Sequence, residues 1–466
     1  MIELKDDLTI NIIREYSKRS LYQFFKLCWE VVESVQFIDN WHIKYICDIL
    51  QERQEIWEKT PDNHYNEEIL ADTLINICPA ASKSLIISVV LPAWILLRFP
   101  SAKILNCTYS FTLSERLAGK RLKLLESEFY QKLVKFKLKN KSLQYIENSK
   151  SGSIYSTSIG GTITGLHFTH IICDDLNHPE SIFSEAYRED VRRFLDDVIP
   201  SRKTDVKRTW SIYVQQRLHD DDATGILLNR KNGKKIKHII IPAINENGES
   251  FFPDRFPLSF FDQQRETLGS ISFNAQYLQI TQPAEGGIIK KEWLKEIDPL
   301  DEKQQIKLTY FIDTAYGSTN KNNKNVDDNA IVGCYIINNN LVVEFVERNK
   351  FEFPELIKWL KTNLPNNAKI YIEGKASGKS VIQTLKLESN FNVIETTPKS
   401  SKLERKQASS AYFEAGRIHI NKFVNNKQLL VEQLIFDNSK HDDISDCVVT
   451  AVEQMLQKNK PTVLRF

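Results

Sequence analysis

The residues best suited to chemistry in the last third of this chain are carboxylates at three separate places. Asp313 closes the apolar run Thr309-Tyr310-Phe311-Ile312, Glu373 closes Lys369-Ile370-Tyr371-Ile372, and Asp442, Asp443 and Asp446 open a helical pattern that runs into Val448, Val449 and Ala451. Carboxylates that end separate strands and start a late helix can converge at one edge of a sheet, where their like charges raise one another's pKa. Two divalent cations, Mg²⁺ or Mn²⁺, remove that cost and create a phosphodiester-cutting site, one ion activating water and the other stabilising the leaving oxygen at roughly 3.5–4 Å separation. Asp313 is expected to bridge the ions, with Glu373 and the 442–446 group completing their shells. On a helix Asp443 and Asp446, and likewise Asp442 and Asp446, share a face. Asp443 is expected to be the essential ligand and Asp446 the next, while Asp442 is either a further ligand or a helix cap.

A second constellation lies earlier. The run Leu74–Ile77 leads into Cys78-Pro79-Ala80-Ala81-Ser82-Lys83-Ser84 and then a helical pattern. A strand, a tight loop, Lys-Ser and a helix are the layout of a phosphate-binding loop. Pro79, Ala80, Ala81 and Ser82 would offer backbone amides to ATP, Lys83 would reach the terminal phosphates, and the Ser84 hydroxyl would ligate Mg²⁺. The glycines of the usual pattern are missing, with Ile77 and Ser82 in their places. Phe168–Cys173 is an apolar run ending in Asp174 and Asp175, the pattern in which the first acid holds Mg²⁺ through water and the second orients or deprotonates the attacking water. Trp210–Val214 ends in Gln215-Gln216-Arg217, where Gln216 or Arg217 either senses the γ-phosphate or, for the arginine, bridges to Asp220–Asp222. Arg116 and Arg217 are the candidates for an arginine finger.

The elements that must position these groups fall into a series. Residues 8–60 carry helical apolar spacing, through Leu21, Phe24, Phe25 and Cys28 and again through Trp41, Ile43, Ile46 and Leu50. From Leu74 to Pro242, β-rich runs (Leu74–Ile77, Lys103–Cys107, Phe168–Cys173, Trp210–Val214, Ile236–Ile241) alternate with helical ones, which predicts a mostly parallel sheet flanked by helices. The pattern breaks at Phe252–Pro257, resumes as a helix over 260–268, and breaks again at Pro283 and Gly286-Gly287. A second α/β unit follows, with turns at Asn320–Asn325 and Asn338–Asn340. The expected division is a helical entry at 1–60, an α/β domain at 61–250, a connector at 251–300 and a second α/β domain at 301–466.

With 62 Lys and Arg against 60 Asp and Glu, any nucleic-acid surface has to be a local patch. Candidates are Lys132, Lys135, Lys137, Lys139 and Lys141, whose alternation also suits an edge strand protected by lysines, and Arg230, Lys231, Lys234, Lys235 and Lys237. The seven cysteines include no closely spaced pair, which argues against a secreted disulfide scaffold. No leader or membrane span is visible, and a cytoplasmic location is expected. His42, His219 and His441 lack ligand spacing and are expected as hydrogen-bonded supports.

The ordered series of motifs resembles the large terminase subunit of tailed bacteriophages. It comprises Trp41-His42, Ser82-Lys83-Ser84, Cys107-Thr108-Tyr109-Ser110, Gly160-Gly161-Thr162-Ile163-Thr164-Gly165, Asp174-Asp175, Gln216–Asp222, Phe252–Phe256, Phe273–Gln279, Asp313, Glu373–Gly378, Phe413–Arg417 and His441-Asp442-Asp443. The resemblance implies an N-terminal ATPase and a C-terminal ribonuclease-H-like nuclease. It further implies ATP-driven translocation of double-stranded DNA into a procapsid and metal-dependent cutting of concatemeric DNA. The implied partners are the portal protein, the small terminase subunit and further copies of the chain in a ring. The sequence departs from the pattern in its glycine-poor phosphate loop and in Ser401–Arg405, where an Asp-Lys pair is common. The alternatives are a metal-dependent nuclease whose first lobe no longer hydrolyses ATP and a non-enzymatic assembly scaffold.

Overall fold

The computed structural model describes residues 6–60, 71–230, 235–281, 287–299, 306–314, 329–374, 376–398, 400–435 and 442–457. The chain divides into two compact units, one of residues 1–263 with 271–282 and the other of 264–270 with 283–466. The expected connector at 251–300 is therefore shared between the two. Its helix Leu258–Phe273 is interrupted at Gly269, which has φ 75°, a conformation that glycine adopts without a side-chain clash.

In the first unit the entry helices are Asp7–Arg19, Leu21–Val32 and Trp41–Lys59. The strands are β1 (Asp72–Ile77), β2 (Lys103–Thr108), β3 (Leu138–Lys141), β4 (Tyr145–Asn148), β5 (Ser153–Ser158), β6 (His170–Asp174), β7 (Trp210–Gln215) and β8 (Ile236–Ile241). They form one sheet in the order β3-β4-β5-β2-β6-β7-β1-β8. From β5 to β8 all neighbours are parallel, while β4 pairs antiparallel with β5 and β3 antiparallel with β4. The parallel strands carry the runs foreseen from sequence because strands covered on both faces are apolar along their length. β4 and β5 are richer in polar residues and escape that pattern. β3 stands at the sheet edge, where its exposed lysines oppose pairing with another chain. Because β2 lies to one side of β1 and β8 to the other, the carboxyl end of β1 is a topological switch point, where open α/β sheets form a crevice.

In the second unit the strands are β9 (Lys295–Ile297), β10 (Thr309–Asp313), β11 (Asn329–Ile337), β12 (Asn340–Asn349), β13 (Lys369–Glu373), β14 (Asn392–Thr396) and β15 (Ile418–Asn421). Their order is β14-β13-β10-β11-β12-β15-β9, with β11 antiparallel to both β10 and β12 and the outer pairings parallel. This is the mixed sheet that the ribonuclease-H-like expectation requires. The β11–β12 hairpin turns through Asn338 (φ 50°) and Asn339 (φ 64°), asparagine being, after glycine, a residue type favoured at the two left-handed positions of such a turn. The turn expected at 320–325 lies outside the described residues.

Two-residue periodicity separates the faces of this sheet. Tyr310, Ile312, Ile370 and Ile372 pack with Leu356, Leu360, Val381 and Leu385 of helices Phe353–Asn363 and Ala376–Glu388. Phe311 and Tyr371 face the other way, toward Phe413, Ile444 and Val448 of helices Lys402–Glu414 and Asp443–Val452. Their rings are paired in register and stacked at 5.1 Å, worth about 0.5–1.5 kcal/mol beyond the area they bury. Alternation then obliges Asp313 and Glu373, two residues further on, to leave the sheet on that same side.

Candidate active sites

β1 ends at Ile77 and the chain turns through Cys78–Ser82 before a helical run that begins at Lys83. Ala80 (φ 61°) and Ser82 (φ 60°) both occupy the left-handed region, at a cost of about 1–2 kcal/mol each for residues with a Cβ. The loop thus takes a path suited to glycine without having one, and the surrounding structure holds it there. Ala81 is fully buried, and its carbonyl lies 3.2 Å from His42 Nε2. The His42 Nδ1 lies 2.6 Å from Asn40 Nδ2, and its ring packs on Phe251 and Phe252 at 5.0 and 5.4 Å. These partners require a neutral ring with its proton on Nε2, and burial accordingly pushes the His42 pKa down to about 4. His42 is the hydrogen-bonded support expected from sequence. His219 has the same kind of role, accepting from the Asp221 N–H at 3.0 Å, and His441 lies outside the described residues.

The loop Cys78–Ser84 and the acidic strand end, with Ser84 and Asp174 90 residues apart in sequence, meet here. Ser84 Oγ donates to Asp174 Oδ1 at 3.1 Å, and Ser88 Oγ, one helical turn on, donates to Asp174 Oδ2 at 2.7 Å. Lys83 Nζ lies 2.7 Å from Asp175 Oδ1 in a nearly buried ion pair. Burial first, then the Asp175 charge, push the Asp174 carboxyl well above the usual range, opposed by Lys83, Ser88 and Ser84. Asp175 sits at φ 46°, its N–H bonded to Val214 O and its carbonyl to Tyr109 N. Gln216 N approaches Asp175 Oδ1 at 3.4 Å. Arg217, expected among the catalytic groups, is engaged elsewhere. Its Nε donates to Asp222 at 2.9 Å and its Nη2 to His219 O and Thr281 Oγ1, which is the bridge to Asp220–Asp222 that was its other expected role. Asp222 is fully buried and also caps helix Ala223–Leu228 through Gly225 N. Arg116 is exposed on helix Phe111–Glu126.

In the second unit Asp313, Glu373 and Asp446 line one pocket with Phe311, Tyr371, Thr396, Cys447 and Thr450. Burial pushes the Asp313 pKa up to about 7, with the charges of Asp446, Asp443 and Glu373 adding to the rise and Lys402 opposing it. Asp446, not the favoured Asp443, is the acid of the late helix that lines the pocket. Asp443 lies 3.6 Å from Arg348. Asp442 takes the N-cap position without a side-chain cap bond and instead accepts from Lys402 Nζ at 2.9 Å.

Two cations missed as site residues complete the cluster. Lys402 pairs closely with Asp446 as well as with Asp442. Arg405, only 3 % exposed, lies 3.9 Å from Glu373, 3.8 Å from Asp446 and 3.9 Å from Glu453. They stand three apart on a helix whose start is fixed by the Ser401/Glu404 capping box, and that spacing was the available signal. Among the described residues no three Asp, Glu, His or Cys groups already stand as a metal cage. The all-oxygen donor set suits a hard divalent cation, and the Lys402 ammonium now meets the charge that such an ion would meet.

The expected basic sets are partly neutralised within the chain. Lys132 pairs with Glu128, Lys141 with Glu126, Arg230 with Asp196 and Lys237 with Glu52. Lys135, Lys137 and Lys139 are exposed, and Lys231 and Lys234 lie outside the described residues. No described helix is long and apolar enough to cross a membrane.

No protein-family model matches the sequence, and no curated protein matches it. Solved structures do. In structure this chain is similar to phage large terminases. The large terminase of the thermophilic bacteriophage D6E in complex with ADP is 10% identical, with 87% of this chain and 98% of that chain covered at a TM-score of 0.48. The HK97 large terminase is 12% identical over 90% of this chain and 92% of its own, at 0.36. The SPP1 large terminase nuclease domain with bound Mn is 16% identical over 35% of this chain and 98% of its own, at 0.28.

Proposed function

We propose that this chain is the large subunit of a viral DNA-packaging terminase, in which the first unit hydrolyses ATP and the second cuts DNA. The observation that carries the reading is the convergence, in each unit, of groups far apart in sequence: Lys83 and Ser84 on Asp175 and Asp174, and Asp313 and Glu373 beside Asp446.

In the first unit a phosphate arriving at the loop would compete with Asp175 for Lys83. Transfer of the ammonium to the phosphate would leave the Asp175 carboxylate free to orient or deprotonate water, while Ser84 and Asp174 would hold Mg²⁺. Backbone turns of alternating hand at Ala80–Ser82 aim loop amides toward an anion, which offsets the missing glycines. Arg217 would act through the segment that it ties to Asp222. In the second unit Asp313, Glu373 and Asp446, with Asp443 and Asp442 nearby, would hold Mg²⁺ or Mn²⁺, and the bound ions would supply water activation and stabilisation of the leaving oxygen. Lys402 would have to give way, and Arg405 would keep Glu373 and Asp446 oriented. Double-stranded DNA would be moved by the first unit at the expense of ATP and cut by the second. The portal protein, the small subunit and further copies of the chain are the partners, in the cytoplasm of an infected cell.

Separate assays on two variants test the assignment. Lys83→Ala should abolish DNA-stimulated ATP turnover and spare metal-dependent cutting of DNA, and Asp313→Ala should do the reverse. Undiminished ATP turnover in the first would remove Lys83 from the phosphate site. If the wild-type chain binds ATP but never hydrolyses it, with or without portal and DNA, the alternative of a nuclease with an inert first unit gains.

A further inference from the structure

Arg121 is the largest charged side chain buried without any exposure in the first unit. Its hydrogen bonds go to neutral groups, Nη1 to Ser88 O at 2.6 Å and Nη2 to Ser156 Oγ, while Nε is buried without a partner. Removing a guanidinium from water is costly unless something offsets it. A structural need accounts for part of the arrangement. Ser88 lies in the wide-turned helical segment Leu85–Val90. The α-helical donor to its carbonyl would be residue 92, which is proline and has no N–H. A neutral donor would fill that gap as well, so the gap alone does not call for a charge.

The other end of Ser88 reaches the acid that ends β6, its hydroxyl donating to Asp174 Oδ2 at 2.7 Å. The contacts therefore run from Ser156 to Arg121, from Arg121 to the Ser88 backbone, and from the Ser88 hydroxyl to Asp174, whose carboxylate also accepts from Ser84. Wide turns of this kind recur at functional sites. We propose that Arg121 is a positioning residue for the Mg²⁺–nucleotide complex: by fixing Ser88 it keeps the Asp174 carboxylate aimed at the metal. This rests on the ATPase reading of the first unit.

The test uses the full chain, ADP and Mn²⁺, with Mn²⁺ binding read by electron paramagnetic resonance, ADP binding by calorimetry in EDTA, and folding by urea midpoints. Ser88→Ala and Arg121→Lys should each weaken Mn²⁺ binding to the ADP complex about tenfold, the scale of one hydrogen bond to a charged group. Both should leave metal-free ADP affinity within about twofold. The double variant should be no worse than the more affected single one, since both break the same chain. Ser156→Ala should lower the urea midpoint without altering Mn²⁺ affinity. Wild-type Mn²⁺ affinity in Ser88→Ala, or losses that multiply in the double variant, would overturn the inference while leaving the ATPase reading intact. A wild-type chain that binds no Mn²⁺–ADP would overturn both.

Discussion

Asp313→Asn should stabilise the metal-free protein at alkaline pH and, on the proposed reading, abolish DNA cutting. Asp313 shares its pocket with Glu373 and Asp446, and its pKa stands at about 7 against an ordinary 3.8. That difference corresponds to roughly 4 kcal/mol between the two protonation states, an upper figure because the cluster can relax. The sign follows from linkage. A carboxyl whose pKa is raised on folding gives its stability in full below the unfolded value, near pH 4, and loses it as pH rises through about 7. Asparagine has no such loss. Urea unfolding in EDTA at pH 5 and pH 8.5 should therefore show Asp313→Asn gaining on the wild type by about 2–4 kcal/mol between the two conditions. Any packing defect of the amide is independent of pH and cancels in this double difference. Saturating Mn²⁺ should reverse the order at pH 8.5, because the ion stabilises only a chain that binds it. A stability difference that does not change with pH would refute the electrostatic reasoning, and equal stabilisation of both proteins by Mn²⁺ would remove Asp313 from the ligand set.

Lys402→Ala should lower metal-free stability by about 1–2 kcal/mol, since the lysine is half exposed and its pairs are screened, and should enlarge the rise in melting temperature produced by Mn²⁺. An unchanged rise would show that Lys402 does not compete with the ion. His42→Phe leaves the buried Ala81 carbonyl without its donor, at a cost of about 1–3 kcal/mol, and nucleotide affinity should fall with it. Because the His42 pKa is depressed to about 4, its stability is present above about pH 6.5 and lost as pH falls toward 4. Urea midpoints across that range should fall less steeply in the variant, and an equal slope would exclude His42 as the titrating group. Gly225→Ala would bring a Cβ within 1.7 Å of Asp220 O. It should cost about 1–3 kcal/mol, measured as a lowered urea midpoint; an unchanged midpoint would show that the Asp220 carbonyl moves aside freely.

The sequence by itself determined the central strands of the first sheet, β10 and β13 of the second, the entry helices and the carboxylates at strand ends. Those features are local. A run buried on both faces has to be apolar along its length, so β1, β2, β6 and β7 are legible, and Asp174, Asp313 and Glu373 follow as the polar residues that end such runs; β8, partly exposed at the sheet edge, is legible through its isoleucines. β4 and β5 were not legible, because their polar residues hide the pattern. Alternation along β10 and β13 puts Asp313 and Glu373 on one side of the sheet only once Phe311 is paired with Tyr371, a register that the folded sheet supplies.

Only the tertiary structure decided which other groups meet them. That Asp446 shares the pocket while Asp443 turns to Arg348 depends on the rotation of helix Asp443–Val452 about its axis, which spacing on a helical face leaves open. Lys402 and Arg405 enter because another helix packs beside that one. Left-handed geometry at Ala80 and Ser82 is likewise unreadable from residues that ordinarily avoid it. It exists because His42, far away in sequence, holds the Ala81 carbonyl in place. Charge and hydrogen-bond partners drawn from distant segments are fixed by how the elements pack, and packing is a property of the folded chain as a whole.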